Sequence, residues 1–192
     1  MKKTGWFKVF LIIVWMSTCL QSGIAFSTDT AEQFSTVKFI IPPPDSDQTL
    51  TYLGLDAIKP FKVTDIKAKI VIIELMSAVC PHCQANAPTM NEIYKIIQAN
   101  SSLADVKLIA IAISDDKISV EAFKKQFRTS FPILLDENHE IKSSMRGMGT
   151  PTTLVVSTGD AKVLYTHRGV IADADGFVKQ VRFVKQLEAL DK

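Results

Sequence analysis

The sequence has little cysteine, no internal repeat and no composition typical of a low-complexity chain. It contains three cysteines in 192 residues, and its 8 glycines and 8 prolines are ordinary numbers for a globular protein. A hydrophobic content of 47% is enough to build one core. We therefore expect one folded domain rather than an array of small ones.

The sequence also lacks a block of one charge outside its first residues. The chain carries 22 basic and 20 acidic residues, and three of the basic ones are Lys2, Lys3 and Lys8. Without this first segment the two signs nearly balance. A basic patch that would favour nucleic acid or anionic lipid is therefore missing, and we expect no nucleic-acid partner.

The apolar run near the N-terminus is too short for an ordinary membrane span. It covers residues 9–20, whereas roughly 20 apolar residues are needed to cross a bilayer. The run follows lysines and precedes the small residues Gly23 and Ala25, a pattern typical of a secretory signal. An uncleaved anchor, a buried helix of the fold, and a lipidated Cys19 are the alternatives.

These features predict three segments. A signal peptide, or an N-terminal anchor, occupies residues 1–25, a flexible lead-in follows over 26–42, and the folded domain extends over 43–192. Three consecutive prolines at the junction favour an extended connector. We expect an exported protein, placed in the periplasm or at the outer face of the cytoplasmic membrane.

After the prolines, apolar runs of strand length alternate with helical patterns. This alternation predicts an α/β fold whose central mixed sheet carries helices on both faces. The segments TLTYL and KPFKV predict a small strand pair before it. The other predicted strands cover residues 69–76, 106–114, 131–136 and 152–157, with a hairpin into 161–169, and the predicted helices cover about 80–99, 120–127, 138–147 and 173–190.

A CPHC motif stands where the buried strand 69–76 gives way to a helix. Cys80 falls at the helix N-terminus, where free N–H groups and the helix dipole favour a thiolate. Pro81 suits the first helical turn because it lacks an N–H, and His82 adds positive charge beside Cys80. Cys83 returns to bonding distance on the same turn. This spacing predicts a reactive dithiol in which one thiol attacks and the other resolves.

The cysteine pair admits four other interpretations. A stapling disulfide would close too short a loop to stabilise the chain much, and a zinc site would need a second pair of ligands. A peroxidase would need a lone activated cysteine with an upstream Thr, which is not present. Copper bound by Cys80, Cys83 and a histidine stays open, so a copper chaperone is the alternative function.

The chain resembles the thioredoxin superfamily, and in particular its exported TlpA-like and ResA-like thiol-disulfide oxidoreductases. The matching segments are IVIIELMSAVCPHCQANAP, VKLIAIAISDD, FPILLD and GTPTTLVVSTGD. This resemblance implies a thioredoxin-like domain over residues 43–192. It also implies a cis bond before Pro151 opposite the dithiol, substrate docking on the Thr150 backbone, and a helix kink at Pro88.

Two positions differ from the TlpA-like pattern. Asn86 stands three residues after Cys83, where that family usually has an acidic residue, and no Trp precedes Cys80. Glu74 lies where thioredoxins hold a buried Asp and DsbA holds a Glu. A carboxyl buried there could exchange a proton with Cys83, unless Glu74 faces solvent.

The resemblance implies an exported enzyme that exchanges disulfides with protein substrates, with a CPHC site like that of the oxidant DsbA. We expect no cofactor and no required metal, because the dithiol carries the two electrons. We expect the partners to be protein thiols or disulfides and a membrane or periplasmic redox protein that recharges the site.

Overall fold

A single mixed sheet organises the protein. The structure, a computed structural model, describes residues 36–145 and 147–190. The strands are β1 Ile70–Met76, β2 Val106–Ala112, β3 Ile133–Leu135, β4 Thr152–Ser157 and β5 Val163–Arg168. They lie in the order β3-β2-β1-β4-β5, with β1 to β3 parallel and β4 and β5 antiparallel to their neighbours. The predicted mixed sheet is thereby confirmed.

Helices cover both faces of this sheet, as predicted. The helices are α1 Asp47–Leu53, α2 Pro81–Ala99, α3 Lys117–Phe127, α4 Glu140–Ser144 and α5 Ala174–Leu190, with short 3₁₀ turns at Val63–Asp65 and Ser101–Leu103. One core contains side chains of α2, α3 and α5, and the other contains side chains of α1 and α4. Among residues 36–145 and 147–190, no helix combines the length and apolarity needed to cross a membrane.

The central strand β1 is buried along its whole length. Ile72 and Met76 pack in the core under α2, whereas Ile73 and Leu75 pack in the core on the opposite face. Because side chains alternate along a strand, Glu74 projects from the same face as Ile72. The chain therefore places a carboxyl inside the sheet, beneath the helix that carries the dithiol.

The predicted strand pair before the sheet is wrong. Residues 49–53 lie in helix α1, because Ser46 accepts a hydrogen bond from the Thr49 N–H at 3.2 Å and caps the helix. Gly54 ends the helix with a φ of 69°, a conformation that glycine adopts easily. In the second segment, Phe61 forms only an isolated bridge with Ile41. The capping residues at the two ends stabilise a helix here, although the alternation of TLTYL is typical of a strand.

The folded part also begins earlier than predicted. The signal segment 1–25 and the first part of the lead-in lie outside the described residues. Residues 36–42, however, pack against the domain: the Val37 N–H donates to the Ala161 carbonyl at 2.8 Å. Ile41 is fully buried. This segment is fixed in place because its apolar side chains complete the core that contains α1.

Candidate active site

The dithiol lies at the carboxyl end of β1, where the chain turns into α2. Cys80 is the N-cap residue of the helix and Pro81 is its first residue. Both cysteines are free thiols, Cys80 half-buried and Cys83 only 1% exposed. Pro81 and His82 are exposed on the first turn. One sulfur is thus accessible from outside and the other faces the interior.

Cys80 is the more acidic of the two thiols. Burial alone would raise its pKa, but hydrogen bonds to the Thr150 side chain, to Cys83 and to the backbone of His82 lower the pKa of Cys80 below its ordinary value. Its position at the helix N-terminus acts in the same direction. Cys80 therefore has the thiolate character that nucleophilic attack requires.

Cys83 is the less acidic of the two thiols. Burial is the main reason that its pKa rises to about 12, and the Cys80 thiol and the charge of Glu74 raise it further. A hydrogen bond from the Ser77 N–H to Cys83 Sγ, at 3.4 Å, partly offsets this rise. Cys83 is therefore a thiol at neutral pH and needs a proton acceptor before it can attack.

Glu74 lies inside the protein beneath the dithiol. It is 3% exposed, so the alternative of a solvent-facing residue is wrong. Burial raises its pKa from 4.5 to about 7, and a hydrogen bond from Asn86 at 2.8 Å limits the rise. A carboxyl with a pKa near 7 can both take and return a proton at neutral pH.

Thr150 and Pro151 face the dithiol from the start of β4. The Thr150–Pro151 peptide bond is cis, and Cys80 Sγ donates to the Thr150 carbonyl oxygen at 3.4 Å. The N–H of Gly169, the residue that follows β5, donates to the Pro151 carbonyl at 2.9 Å and fixes the loop. Residues 70 positions apart in sequence thus meet at one site.

Pro88 lies within α2, and the helix continues past it to Ala99. Proline removes one backbone hydrogen bond there, because it has no N–H to donate.

Asn86 lies two residues before Pro88 on α2, and in the sequence it is only a departure from the TlpA-like pattern. Its full burial and its contact with Glu74 appear in the structure alone.

Few side chains near the dithiol could serve as metal ligands in the described part of the chain. Within residues 36–145 and 147–190, no group of three or more His, Cys, Asp or Glu side chains is arranged to hold a metal ion. Cys80 and Cys83 are two soft ligands, and His82 projects from the exposed side of the turn. No contact in the described part of the chain therefore favours the copper interpretation.

Comparison with known proteins places this site in a family. The profile of the AhpC/TSA family matches residues 44–181, which include the dithiol, Glu74 and the cis-proline. The chain belongs to the AhpC/TSA family. This thioredoxin-like family agrees with the predicted superfamily, and the predicted α/β fold is confirmed.

Relatives of this AhpC/TSA protein include ResA thiol-disulfide oxidoreductases. That of Geobacillus kaustophilus is 25% identical over 122 residues, which cover 63% of this chain and 68% of that protein. That of Geobacillus thermodenitrificans is 28% identical over 106 residues, which cover 55% and 59%. The chain therefore spans about three fifths to two thirds of the length of these relatives. They bear out the predicted class of enzyme, a thiol-disulfide oxidoreductase.

A solved structure supports the same fold. A secreted disulfide oxidoreductase of Mycobacterium tuberculosis, homologous to E. coli DsbE, aligns with a TM-score of 0.54. The alignment covers 75% of this chain and 94% of that one, at 16% identity. Identity at this level shows that the two chains share a fold.

Proposed function

We propose that this chain is an exported enzyme that exchanges disulfides with protein substrates through Cys80 and Cys83. The observation that carries the proposal is the contrast between the two sulfurs. Cys80 is half-buried, lies at a helix N-terminus and has a lowered pKa, whereas Cys83 is buried and its pKa is raised. An inert staple would not need one reactive and one protected thiol.

The exchange begins when the Cys80 thiolate attacks a substrate disulfide. A bond forms between Cys80 Sγ and one substrate sulfur, and the other substrate sulfur leaves and takes up a proton. Glu74 then accepts the proton of Cys83, whose thiolate attacks Cys80 Sγ. The Cys80–Cys83 disulfide forms, the second substrate sulfur leaves and is protonated, and the substrate has gained two electrons and two protons. The same steps in reverse oxidise a substrate dithiol.

The remaining site residues take supporting roles in this proposal. Thr150 stands beside Cys80, and an extended substrate chain would dock on its backbone, next to the cis bond to Pro151. His82 lies on the exposed side of the turn, where we propose that it tunes the reactivity of Cys80, and Pro81 starts the helix that carries both cysteines. The half-buried Cys80 and Thr150, side by side near the surface, suit a polypeptide substrate better than a small enclosed molecule.

The proposal of export rests on two observations. The first 25 residues carry the pattern of a secretory signal, and one protein with the same fold is secreted. An exported dithiol needs a partner that resets its oxidation state after each exchange, because the thiols do not regenerate themselves. We propose a membrane or periplasmic redox protein in that role.

Trapping of a mixed disulfide tests the proposed roles. In Cys83→Ser the first attack can occur but resolution cannot, so we expect this variant to accumulate covalent complexes with disulfide-containing proteins such as insulin. Cys80→Ser is the matched control and should form none. Complexes in Cys80→Ser but not in Cys83→Ser would reverse the assignment, and complexes in neither would overturn the proposed function.

The reduction potential gives the direction of electron flow. A value of about −120 mV, measured against glutathione, would make the protein an oxidant, and a value of about −270 mV would make it a reductant.

The copper alternative is tested on the same reduced protein by titration with Cu(I). Tight stoichiometric binding that disappears in His82→Ala would favour a chaperone over an oxidoreductase.

A further inference from the structure

A second buried carboxylate, that of Asp115, reaches the turn that carries the dithiol. It follows β2 by three residues. Strands β1 and β2 are parallel, with Met76 opposite Ala112, so the segments that leave the two strands run side by side at the same edge of the sheet. Asp115 therefore meets the turn between β1 and α2.

The contacts of Asp115 are directed at two consecutive residues of that turn. Its Oδ1 atom accepts hydrogen bonds from the Ser77 hydroxyl at 3.0 Å and from the Ala78 N–H at 3.0 Å. The residue is only 9% exposed, and its Oδ2 atom has no hydrogen-bond partner in the part of the chain that the structure describes. Buried polar groups in proteins are hydrogen-bonded, and the two bonds to Oδ1 are those that the described residues give this carboxyl group.

The turn that Asp115 holds is the one that contacts the buried sulfur. The N–H of Ser77 donates to Cys83 Sγ at 3.4 Å. The same turn is closed by a bond from the Cys80 N–H to the Ser77 carbonyl at 3.2 Å and by one from Gln84 Nε2 to the Ala78 carbonyl at 3.0 Å. Asp115 adds a further restraint on the turn, because it binds Ser77 and Ala78 from outside the motif.

We propose that Asp115 is a positioning residue of the redox centre. It fixes Ser77 so that the Ser77 N–H points at Cys83 Sγ, and this hydrogen bond favours the thiolate with which Cys83 resolves a mixed disulfide. The inference deepens the proposed function and depends on it. Asp115 acts through the turn and touches neither sulfur, so its loss should slow resolution by Cys83 more than the first attack by Cys80.

Reaction with dithiobis(nitrobenzoic acid) separates these two steps. The Cys80 thiolate attacks the reagent, forms a mixed disulfide and releases one thionitrobenzoate. The Cys83 thiolate then attacks Cys80 Sγ, forms the Cys80–Cys83 disulfide and releases the second. Release is followed by absorbance, so each variant reports both rates in one experiment.

The variants are chosen to separate hydrogen bonding from charge. Asp115→Ala removes the acceptor, and we expect the second release to slow by about tenfold relative to the first, the equivalent of one pKa unit. Asp115→Asn keeps an Oδ1 acceptor without the charge and should retain most of the second rate. Asp116→Ala is the control, because Asp116 caps α3 through the Ser119 N–H at 2.7 Å and should change neither phase.

Several results would overturn the inference. One is a folded Asp115→Ala variant, checked by thermal melting, whose second phase is unchanged or slows only as much as its first. Another is an Asp115→Asn variant that is as slow as Asp115→Ala, or faster than the wild type, since charge rather than positioning would then decide the rate. If Asp115→Ala does not fold, Ser77→Ala decides: a selectively slower second phase supports the inference, and an unchanged one overturns it. A wild-type protein without any second phase would contradict the proposed function itself.

Discussion

The side-chain amide of Asn86 donates to the Glu74 carboxyl at 2.8 Å, and its oxygen accepts from the Ile171 N–H at 2.8 Å. Both side chains are buried. One amide thus connects the central strand, the helix of the dithiol and the loop before α5. The carboxyl that we propose as the proton acceptor is therefore held in place by a neutral partner rather than by a cation, and its ionisation stays costly.

This cost predicts a pH-dependent stability that Glu74→Gln should remove. Burial raises the pKa of Glu74 from 4.5 to about 7, so between these values the folded protein keeps a proton that the unfolded chain has released. The free energy of unfolding should be highest below pH 4.5 and should fall as the pH rises through about 7. Over this range we expect the wild type to lose about 3 kcal/mol of unfolding free energy relative to Glu74→Gln.

Urea unfolding of both reduced proteins at several pH values between 4 and 8 measures this difference. Glutamine keeps an oxygen that can accept from Asn86 but cannot ionise, so it is the appropriate substitution. If the two stability curves run parallel across this range, the carboxyl titrates near its ordinary pKa and does not serve as the proton acceptor.

The two thiols should differ sharply in reactivity. A pKa of about 12 leaves Cys83 with a thiolate fraction of about 10⁻⁵ at pH 7, and its sulfur is also buried. We expect iodoacetamide at pH 7 to modify Cys80 of the reduced protein and to leave Cys83 intact, as judged by mass spectrometry of the peptides. In Cys80→Ser, Cys83 should still react slowly with iodoacetamide. Equal labelling of both cysteines in the wild type would contradict the proposed order of attack.

Asn86→Ala should destabilise the protein and also change the titration of Glu74. The variant leaves the Ile171 N–H and the Glu74 carboxyl without their partner, which should cost about 2–3 kcal/mol in the free energy of unfolding. Because the hydrogen bond from Asn86 lowers the pKa of Glu74, its loss should raise that pKa further. The pH at which stability falls should then move upward.

Asn91 on the same helix is a matched control for this prediction. It also donates once and accepts once, to the Phe127 carbonyl at 2.9 Å and from the Ser130 N–H at 3.0 Å, but at the surface. Asn91→Ala should lower stability without moving the pH dependence. A pH profile that shifts equally in both variants would assign the effect to general loosening of α2.

Local patterns were sufficient to predict the framework of the fold. Strand β4 has the predicted bounds, and β1 begins within one residue of them, because a continuous apolar run leaves few alternatives. The helix after Cys80 followed from Pro81 and from the apolar spacing behind it. Helix α1 was missed because its alternating residues resemble a strand, although Ser46 and Gly54 are its capping signals.

The contacts that tune the site could not be predicted in the same way. Asn86 meets Ile171, and Ser77 meets Asp115, across large separations in sequence. Which side chains meet depends on the register of β1 against its neighbours and on how α2 packs across the sheet. Neither the register nor the packing can be deduced from the local spacing of apolar residues. A polar residue inside an apolar helix face, such as Asn86, is the signal that could have pointed to a buried partner.

A final prediction concerns Thr153, which lies directly opposite Glu74 on β4. Its side chain is fully buried, and its Oγ1 atom has no hydrogen-bond partner among the described residues. Thr153→Val has nearly the same shape and removes the unpaired hydroxyl, so we expect the free energy of unfolding to rise by about 1 kcal/mol in urea titrations of the reduced protein.

Thr152, the residue before Thr153, provides the comparison that makes the sign of this stability change informative. Thr152 is also buried, but its hydroxyl donates to the Gly149 carbonyl at 2.7 Å, so Thr152→Val should lower stability by about 1 kcal/mol. Opposite signs for two adjacent, chemically identical substitutions would exclude a general effect of strand propensity, because valine favours strands at both positions. If Thr153→Val instead destabilises the protein above pH 7 and not below it, the hydroxyl donates to the ionised Glu74 carboxylate. The cross-strand pair would then belong to the proton-transfer step.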